Sequence, residues 1–158
     1  MKNSKPILFC VALVCLALLG VALYLQVVER MQPCPLCIIQ RYAFAAIALI
    51  CLVFVFLPRG TSAIGAGFAA LVALAGAGTA GWHVWVKAHP EISCGIDPLE
   101  TSLNTLAPAN WLPLVFKADG FCSTPYAPIL GLSIPQWSLV WFIGFVLILG
   151  WVAAKRGR

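Results

Sequence analysis

The chain has 158 residues, of which 62% are hydrophobic and only 9% are charged, and its formal net charge is +5. Because a soluble domain carries roughly 25% charged residues, this composition excludes an ordinary soluble enzyme and predicts one integral membrane domain over residues 1–158. The ten Lys and Arg residues are scattered along the chain, so the positive charge does not indicate a nucleic-acid-binding surface.

Four apolar stretches are long enough to cross a bilayer, which requires about 20 residues of helix. They cover approximately residues 7–28, 38–57, 63–86 and 135–154. The apolar core of the first stretch is too long for a signal peptide and no small-residue cleavage site follows it, so we expect a retained helix. The predicted fold is therefore an all-α membrane protein, a four-transmembrane-helix bundle with a long loop at 87–134 and a short loop at 29–37.

Basic residues are divided unequally between the two sides of this bundle. The side with both termini and the 58–62 loop carries no acid and six basic residues: Lys2, Lys5, Arg59, Lys155, Arg156 and Arg158. The opposite side carries three basic residues and all five acids. Since cytoplasmic loops are enriched in Lys and Arg, we expect both termini in the cytoplasm and the 29–37 and 87–134 loops outside.

Seven cysteines are divided by the same topology. Three lie within predicted spans, where we expect them to pack as small hydrophobic residues: Cys10, Cys15 and Cys51. The other four lie outside, where a bacterial cell would provide an oxidising compartment and two disulfides could form with three possible connectivities. Cys34 and Cys37 share one constrained turn and are expected to pair, which leaves Cys94 with Cys122.

The C-x-x-C spacing of Cys34 and Cys37 suits a reversible disulfide, half of a metal site or a cofactor attachment. A four-cysteine zinc site usually has a second close pair, which Cys94 and Cys122 do not provide, and haem attachment requires histidine directly after the second cysteine. Two inert stapling disulfides would leave Arg41 unexplained. Arg41 follows Cys37 by one helical turn, where a cation favours thiolate; the alternative is a side chain that snorkels to the headgroups.

With these four cysteines, Arg41 and four spans, the chain resembles the disulfide bond formation protein B family, the quinone-dependent membrane oxidases of bacterial inner membranes. The matching features, in chain order, are Cys34-Pro35-Leu36-Cys37, Arg41, the outer pair Cys94 and Cys122, and Gly131-Leu132-Ser133-Ile134-Pro135-Gln136-Trp137. Vitamin K epoxide reductase-like enzymes also combine four helices with C-x-x-C, but their motif follows the loop pair instead of preceding it. A structural or chaperone-like membrane protein with inert disulfides is the alternative from another class.

The resemblance implies a protein-dithiol:quinone oxidoreductase that relays electrons through two disulfides. The thiolate of a reduced periplasmic thioredoxin-fold oxidase (DsbA-like) would attack Cys94, and the released Cys122 would attack Cys34. Cys37 would then be freed beside ubiquinone or menaquinone from the membrane quinone pool. Arg41 would stabilise both the Cys37 thiolate and negative charge on the quinone.

Further contacts to the quinone are implied by position in the family. Ile134 and Trp137 would line the quinone site at the outer end of the last span. His83 could donate to a quinone carbonyl, with His89 as the competing histidine. The apolar stretch 111–116 is too short to span the lipid bilayer, and we expect it to lie flat on the outer membrane surface.

Overall fold

The structure is a computed structural model, and it describes residues 4–89, 96–120, 122, 124 and 126–155. The described helices are, in chain order, α1 (Lys5–Val27), α2 (Pro35–Phe56), a short 3-10 helix (Arg59–Thr61), α3 (Ser62–Ala88), α4 (Ile96–Asn104), α5 (Ala107–Trp111), α6 (Pro113–Phe116) and α7 (Ile134–Ala154). Four of them, α1, α2, α3 and α7, are long and apolar enough to cross a membrane. The prediction of a four-helix all-α membrane protein is confirmed, and each long helix begins and ends within three residues of its predicted span.

Proline lies at the start of three of the long helices and directly after the end of α2. Proline occupies the first turn of α1, α2 and α7, where its missing N–H would have had no helical partner. Leu57 ends α2 in an extended conformation, as expected for a residue that precedes proline. At the start of α7, the Ser133 backbone N–H donates to Gln136 Oε1 at 2.8 Å, which forms a capping box.

The helices form a bundle in which α2 packs against α1 and α3, while α3 packs most extensively against α7. Two glycines of α3 allow a close approach: a Cβ on Gly65 would collide with Phe54, and a Cβ on Gly76 would collide with Phe142. Phe142 in turn stacks on Phe44 of α2, with ring centroids 4.2 Å apart. The other α3 glycines leave open space or only loose contact. Among the glycines of α3, therefore, only Gly65 and Gly76 lie where a side chain would collide with a neighbouring helix.

The three cysteines within the spans do not share one environment. Cys15 and Cys51 are fully buried in the core, as expected for small hydrophobic residues. Cys10 is exposed on the outside of the bundle. The expectation that all three pack in the core is therefore wrong for Cys10, because it lies on a face of α1 that no neighbouring helix covers.

The connection between α3 and α7 contains the short helices α4, α5 and α6. Phe116 of α6 is buried and stacks on Tyr42 of α2, with ring centroids 4.4 Å apart. Trp111 and Leu114 are exposed, Trp111 by 81%. The stretch 111–116 therefore includes a short helix, anchored to α2 through Phe116 while other apolar side chains point outward; its position on a membrane surface stays a prediction.

Candidate redox site

Two thiols meet at the start of α2. Cys34 is the residue before the helix, in an extended conformation, and Cys37 lies in the first helical turn. Both are free thiols in this structure, and their Sγ atoms are 3.2 Å apart. Because a disulfide joins sulfurs about 2.0 Å apart, an approach of about 1 Å would close the bond.

The two sulfurs have different protonation environments. The Cys34 thiol donates a hydrogen bond to Cys37 Sγ. This bond and burial both raise the pKa of Cys34 well above its usual range. Cys34 therefore keeps its proton at neutral pH in the reduced pair, and Cys37 Sγ acts as the acceptor.

His83 of α3 completes a cluster with these thiols. It is buried, its Nε2 lies 3.6 Å from Cys34 Sγ, and its Nδ1 lies 4.0 Å from Cys37 Sγ. The side-chain amide nitrogen of Gln40 lies 3.3 Å from the same Nδ1. The other candidate histidine, His89, is exposed with its Nδ1 2.9 Å from the carbonyl of Trp85, so His83 is the histidine that the fold brings to the thiols.

Arg41 is buried within the protein, one turn after Cys37. Its Nη1 donates to Gln26 Oε1 at 2.7 Å and to the Val115 carbonyl at 2.9 Å, and its Nη2 donates to the Ala22 carbonyl at 3.2 Å. The guanidinium therefore links α1 and α6 to α2. The sequence predicted that Arg41 faces Cys37; the two do border one cavity, but these three hydrogen bonds go to other partners.

A cavity of about 260 Å³ opens between α1, α2, α3 and α7. Most of its wall is apolar, as in ligand sites that use a few placed polar groups. Seven described residues that the sequence proposed for redox chemistry or quinone contact line it, whereas the competing histidine His89 does not. The seven are Cys34, Cys37, Arg41, His83, Cys122, Ile134 and Trp137. The indole N–H of Trp137 donates to the Ile129 carbonyl at 2.9 Å, which fixes this side chain at the cavity wall.

Cys122 is disulfide-bonded and 3% exposed. It belongs to a buried cluster that also contains Cys34, Leu36 and Val86. Cys94, its expected partner, lies outside the described residues. The family resemblance implies that the released Cys122 attacks Cys34, and the structure already places these two residues in one cluster.

Hydrogen bonds join the segment before Cys122 to the segment before Cys34. The backbone N–H groups of Asp119 and Gly120 both donate to the Pro33 carbonyl at 3.1 Å. A Cβ on Gly120 would lie 2.5 Å from the Gln32 carbonyl oxygen, so glycine permits this close approach. Tyr126 adds a further contact, because its hydroxyl accepts the Gln32 N–H at 3.0 Å.

Comparisons with known proteins identify the family of the chain. The family model described as "Disulfide bond formation protein DsbB" matches residues 4–152. The chain belongs to the disulfide bond formation protein B family. It is 68% identical over 156 residues to disulfide bond formation protein B of Herminiimonas arsenicoxydans, covering 99% of both chains. It is 44% identical to the protein of that name from Ralstonia nicotianae, over 99% of this chain and 98% of that one.

Membership of the disulfide bond formation protein B family determines the general activity. The chain is a disulfide-forming oxidoreductase, and with its four apolar helices it is a multi-pass inner-membrane protein.

Gln40 and Tyr126 were not singled out from the sequence, yet both line the cavity. A glutamine three residues after Cys37 could have been noted, whereas Tyr126 carries no pattern that links it to the start of α2.

Proposed function

We propose that this protein is a protein-dithiol:quinone oxidoreductase that reoxidises a periplasmic thioredoxin-fold partner (DsbA-like). Electrons would pass from the partner through the pair Cys94–Cys122 to the pair Cys34–Cys37 and then to ubiquinone or menaquinone. One observation carries this proposal: Cys37, Arg41 and Cys122 line a single apolar cavity between the membrane helices. Quinone that diffuses in the bilayer could reach such a cavity without leaving the membrane.

Each exchange step is the attack of a thiolate on a disulfide sulfur. The partner's thiolate attacks Cys94 and releases Cys122, which attacks Cys34 and releases Cys37. The partner's second thiolate then attacks the partner's own sulfur in the bond to Cys94, so the partner leaves oxidised and the Cys94 thiolate is released. Cys94 would attack Cys122 in the Cys34–Cys122 bond, which restores the outer disulfide and leaves Cys34 and Cys37 reduced. These two thiols would give two electrons and two protons to a quinone and close their disulfide again. The shared cluster of Cys34 and Cys122 supports the middle step, because these residues are already packed together.

A terminal acceptor beyond the cysteines is required by the energetics. The known thioredoxin-fold oxidase of this pathway, DsbA, has a reduction potential of about −120 mV, so it can be reoxidised only by a sink of higher potential. Both cysteine pairs would be reduced after two turnovers, whereas a quinone takes up two electrons and two protons and exchanges with the membrane pool. Arg41 supplies positive charge at the cavity wall for a developing negative charge on an oxygen, and Ile134 and Trp137 provide apolar surface for a ring.

The proposed orientation places the cysteine side in the periplasm and both termini in the cytoplasm. This arrangement agrees with the excess of basic residues at the termini and in the 58–62 loop. It also places the disulfide of Cys122 in an oxidising compartment.

The proposal is tested by anaerobic mixing of the purified protein in nanodiscs with ubiquinone or menaquinone and a reduced DsbA-like partner. Quinone absorbance should fall by one quinone for each partner disulfide formed. Cys37→Ser should abolish the change, while Cys51→Ser, in the core away from the cavity, should preserve it. Oxidation of the partner without loss of quinone absorbance would contradict the quinone step.

A further inference from the structure

Cys34, Cys37 and His83 form a compact group of nitrogen and sulfur donors. One ligand atom from each lies within 4.8 Å of the others. Cys34 and His83 are buried and Cys37 is partly buried, so the group is held by the packing of α2 against α3. Thiolate and imidazole are the ligands that zinc uses most often in proteins.

Two of the separations in this group are close to those that zinc requires. With bonds of about 2.3 Å to sulfur and 2.0–2.1 Å to nitrogen, a tetrahedral site places its two sulfurs about 3.8 Å apart and sulfur about 3.6 Å from nitrogen. Nε2 of His83 lies 3.6 Å from Cys34 Sγ, and the two sulfurs lie 3.2 Å apart. Widening the sulfur pair by about 0.6 Å, within reach of small side-chain rotations, would admit the ion.

The surroundings also suit a metal ligand. The side-chain amide of Gln40 lies 3.3 Å from Nδ1 of His83. Turning this amide by 180° exchanges its nitrogen and oxygen, so that the oxygen would accept the Nδ1 hydrogen and leave the Nε2 lone pair for an ion. A metal-bound histidine usually donates its other ring N–H to such a partner. Two thiolates, one neutral imidazole and a divalent cation sum to zero charge. A neutral site avoids most of the cost of burying a charge among apolar side chains.

We propose that the reduced site binds one Zn²⁺ through Cys34, Cys37 and His83, with a fourth position facing the cavity. Binding would form two zinc–sulfur bonds and one zinc–nitrogen bond and release two protons from the thiols, without electron transfer. This donor set differs from the four-cysteine site that the spacing of Cys94 and Cys122 argues against. The regulatory consequence rests on the proposed function: zinc and the Cys34–Cys37 disulfide exclude each other, so zinc would hold the enzyme reduced and inactive.

The test uses full-length protein in nanodiscs, with Cys94→Ser and Cys122→Ser included so that only the inner pair responds to reduction. Zn²⁺ is titrated against a chromophoric chelator, and proton release is followed with a pH indicator in weak buffer. The reduced protein should bind one Zn²⁺ with release of about two protons at a pH where both thiols are protonated, and the oxidised protein should not. In the same background, Co²⁺ should give the visible absorption bands of a tetrahedral thiolate site.

His83→Gln should weaken binding by at least about tenfold, since loss of even an outer partner of a metal ligand costs ten- to a hundredfold. His83→Cys, which retains a ligand, should keep tight binding. His89→Gln is the matched control and should leave the affinity unchanged. If His83→Gln does not fold, Cys37→Ser serves in its place, because it removes a ligand from a partly buried position.

Unchanged affinity in His83→Gln, equal binding by the oxidised protein, or failure of the reduced protein to bind zinc would each overturn the proposal. The titration contains neither quinone nor partner. Zinc binding can therefore fail while metal-free quinone reduction proceeds, and quinone reduction can fail while zinc still binds.

Discussion

Cys122 has the position that thiol–disulfide exchange requires of a resolving residue. An attacking thiolate must reach a disulfide sulfur, and Cys122 shares a buried cluster with Cys34. Gly120 contributes to this placement. Its backbone N–H and that of Asp119 donate hydrogen bonds to the carbonyl of Pro33, the residue before Cys34. Cys34 and Cys122 are both buried, at 2% and 3% exposure, which favours transfer between the two pairs over exchange with thiols in solution.

Removing the resolving thiol should trap the partner. The partner's second cysteine is replaced by serine, and Cys94 of Cys122→Ala is presented in a disulfide with an added small thiol. The partner's thiolate can then attack Cys94 and displace the small thiol, and neither Cys122 nor a second partner thiol can break the new bond. We expect a disulfide-linked complex through Cys94, visible on a non-reducing gel and assigned by mass spectrometry. Cys51→Ala, buried in the core, is the control and should accumulate less of it, because its Cys122 can attack Cys94 and release the partner. A complex joined through Cys34 or Cys37 instead would reverse the assigned order of the relay.

Arg41 provides a positive charge at the cavity wall. Its guanidinium also donates hydrogen bonds to Gln26, Val115 and Ala22, which link α1 and α6 to α2. Arg41→Ala should leave the cysteines able to form disulfides but lower kcat/KM for quinone. Losing one charge-assisted contact costs about 1.5–3 kcal/mol, or roughly ten- to a hundredfold. Arg41→Lys should lose less, since it keeps the charge but lacks the planar donor fork.

Steady-state quinone kinetics check this prediction, with thiol counting to show that the disulfides still form. Gln26→Leu is a useful comparison, because it removes one acceptor of Arg41 and leaves the cation in place. Quinone kinetics in Arg41→Ala that match the wild type would leave Arg41 as a structural link between α1, α2 and α6 and contradict its role towards quinone.

Among the helices, the contact between α3 and α7 depends on one glycine more than on its neighbours. A Cβ on Gly76 would collide with the ring of Phe142, which stacks on Phe44 at the cavity wall. Gly78, on the same helix, has open space around its Cβ position. Replacing each of these two glycines by alanine therefore distinguishes the effect of helix packing on stability from the effect of helix propensity.

Gly76→Ala should destabilise the protein by about 1–3 kcal/mol, the usual cost of overpacking a core. Gly78→Ala should be neutral or stabilising by up to about 1 kcal/mol, because alanine is the better helix former. Thermal unfolding in one detergent, followed by circular dichroism, measures both. Equal shifts for the two variants would show that α3 and α7 are not packed this closely at Gly76.

The long helices could be predicted from the sequence, because a bilayer requires about 20 apolar residues and few other structures contain such runs. The cysteines of the site carry their own pattern of spacing. The cluster with His83 has no such pattern: His83 lies 49 positions from Cys34, and only the packing of α3 on α2 brings them together. The hydrogen bonds of Arg41 to the carbonyls of Val115 and Ala22 could not be predicted either, because every residue has a backbone carbonyl and the sequence does not indicate which one is used.

The two ends of the bundle differ in the number of basic and acidic residues that they carry. Six basic residues and no acid lie at the termini and in the 58–62 loop, whereas the other side carries all five acids. On that second side, Lys117 is neutralised in part by Asp119, with the two charged groups 3.4 Å apart.

This asymmetry predicts the orientation in the membrane, and the orientation decides whether the disulfides can form. A reporter that is active only in the periplasm should be active when fused after Lys117 and silent when fused after Arg59, since Lys and Arg favour the cytoplasmic side. Adding three lysines to the 111–116 stretch is the complementary test, because it opposes the existing bias and should lower the activity of the Lys117 fusion. If instead the Arg59 fusion is active and the Lys117 fusion silent, Cys34, Cys37 and Cys122 face a reducing cytosol, and the relay cannot operate as proposed.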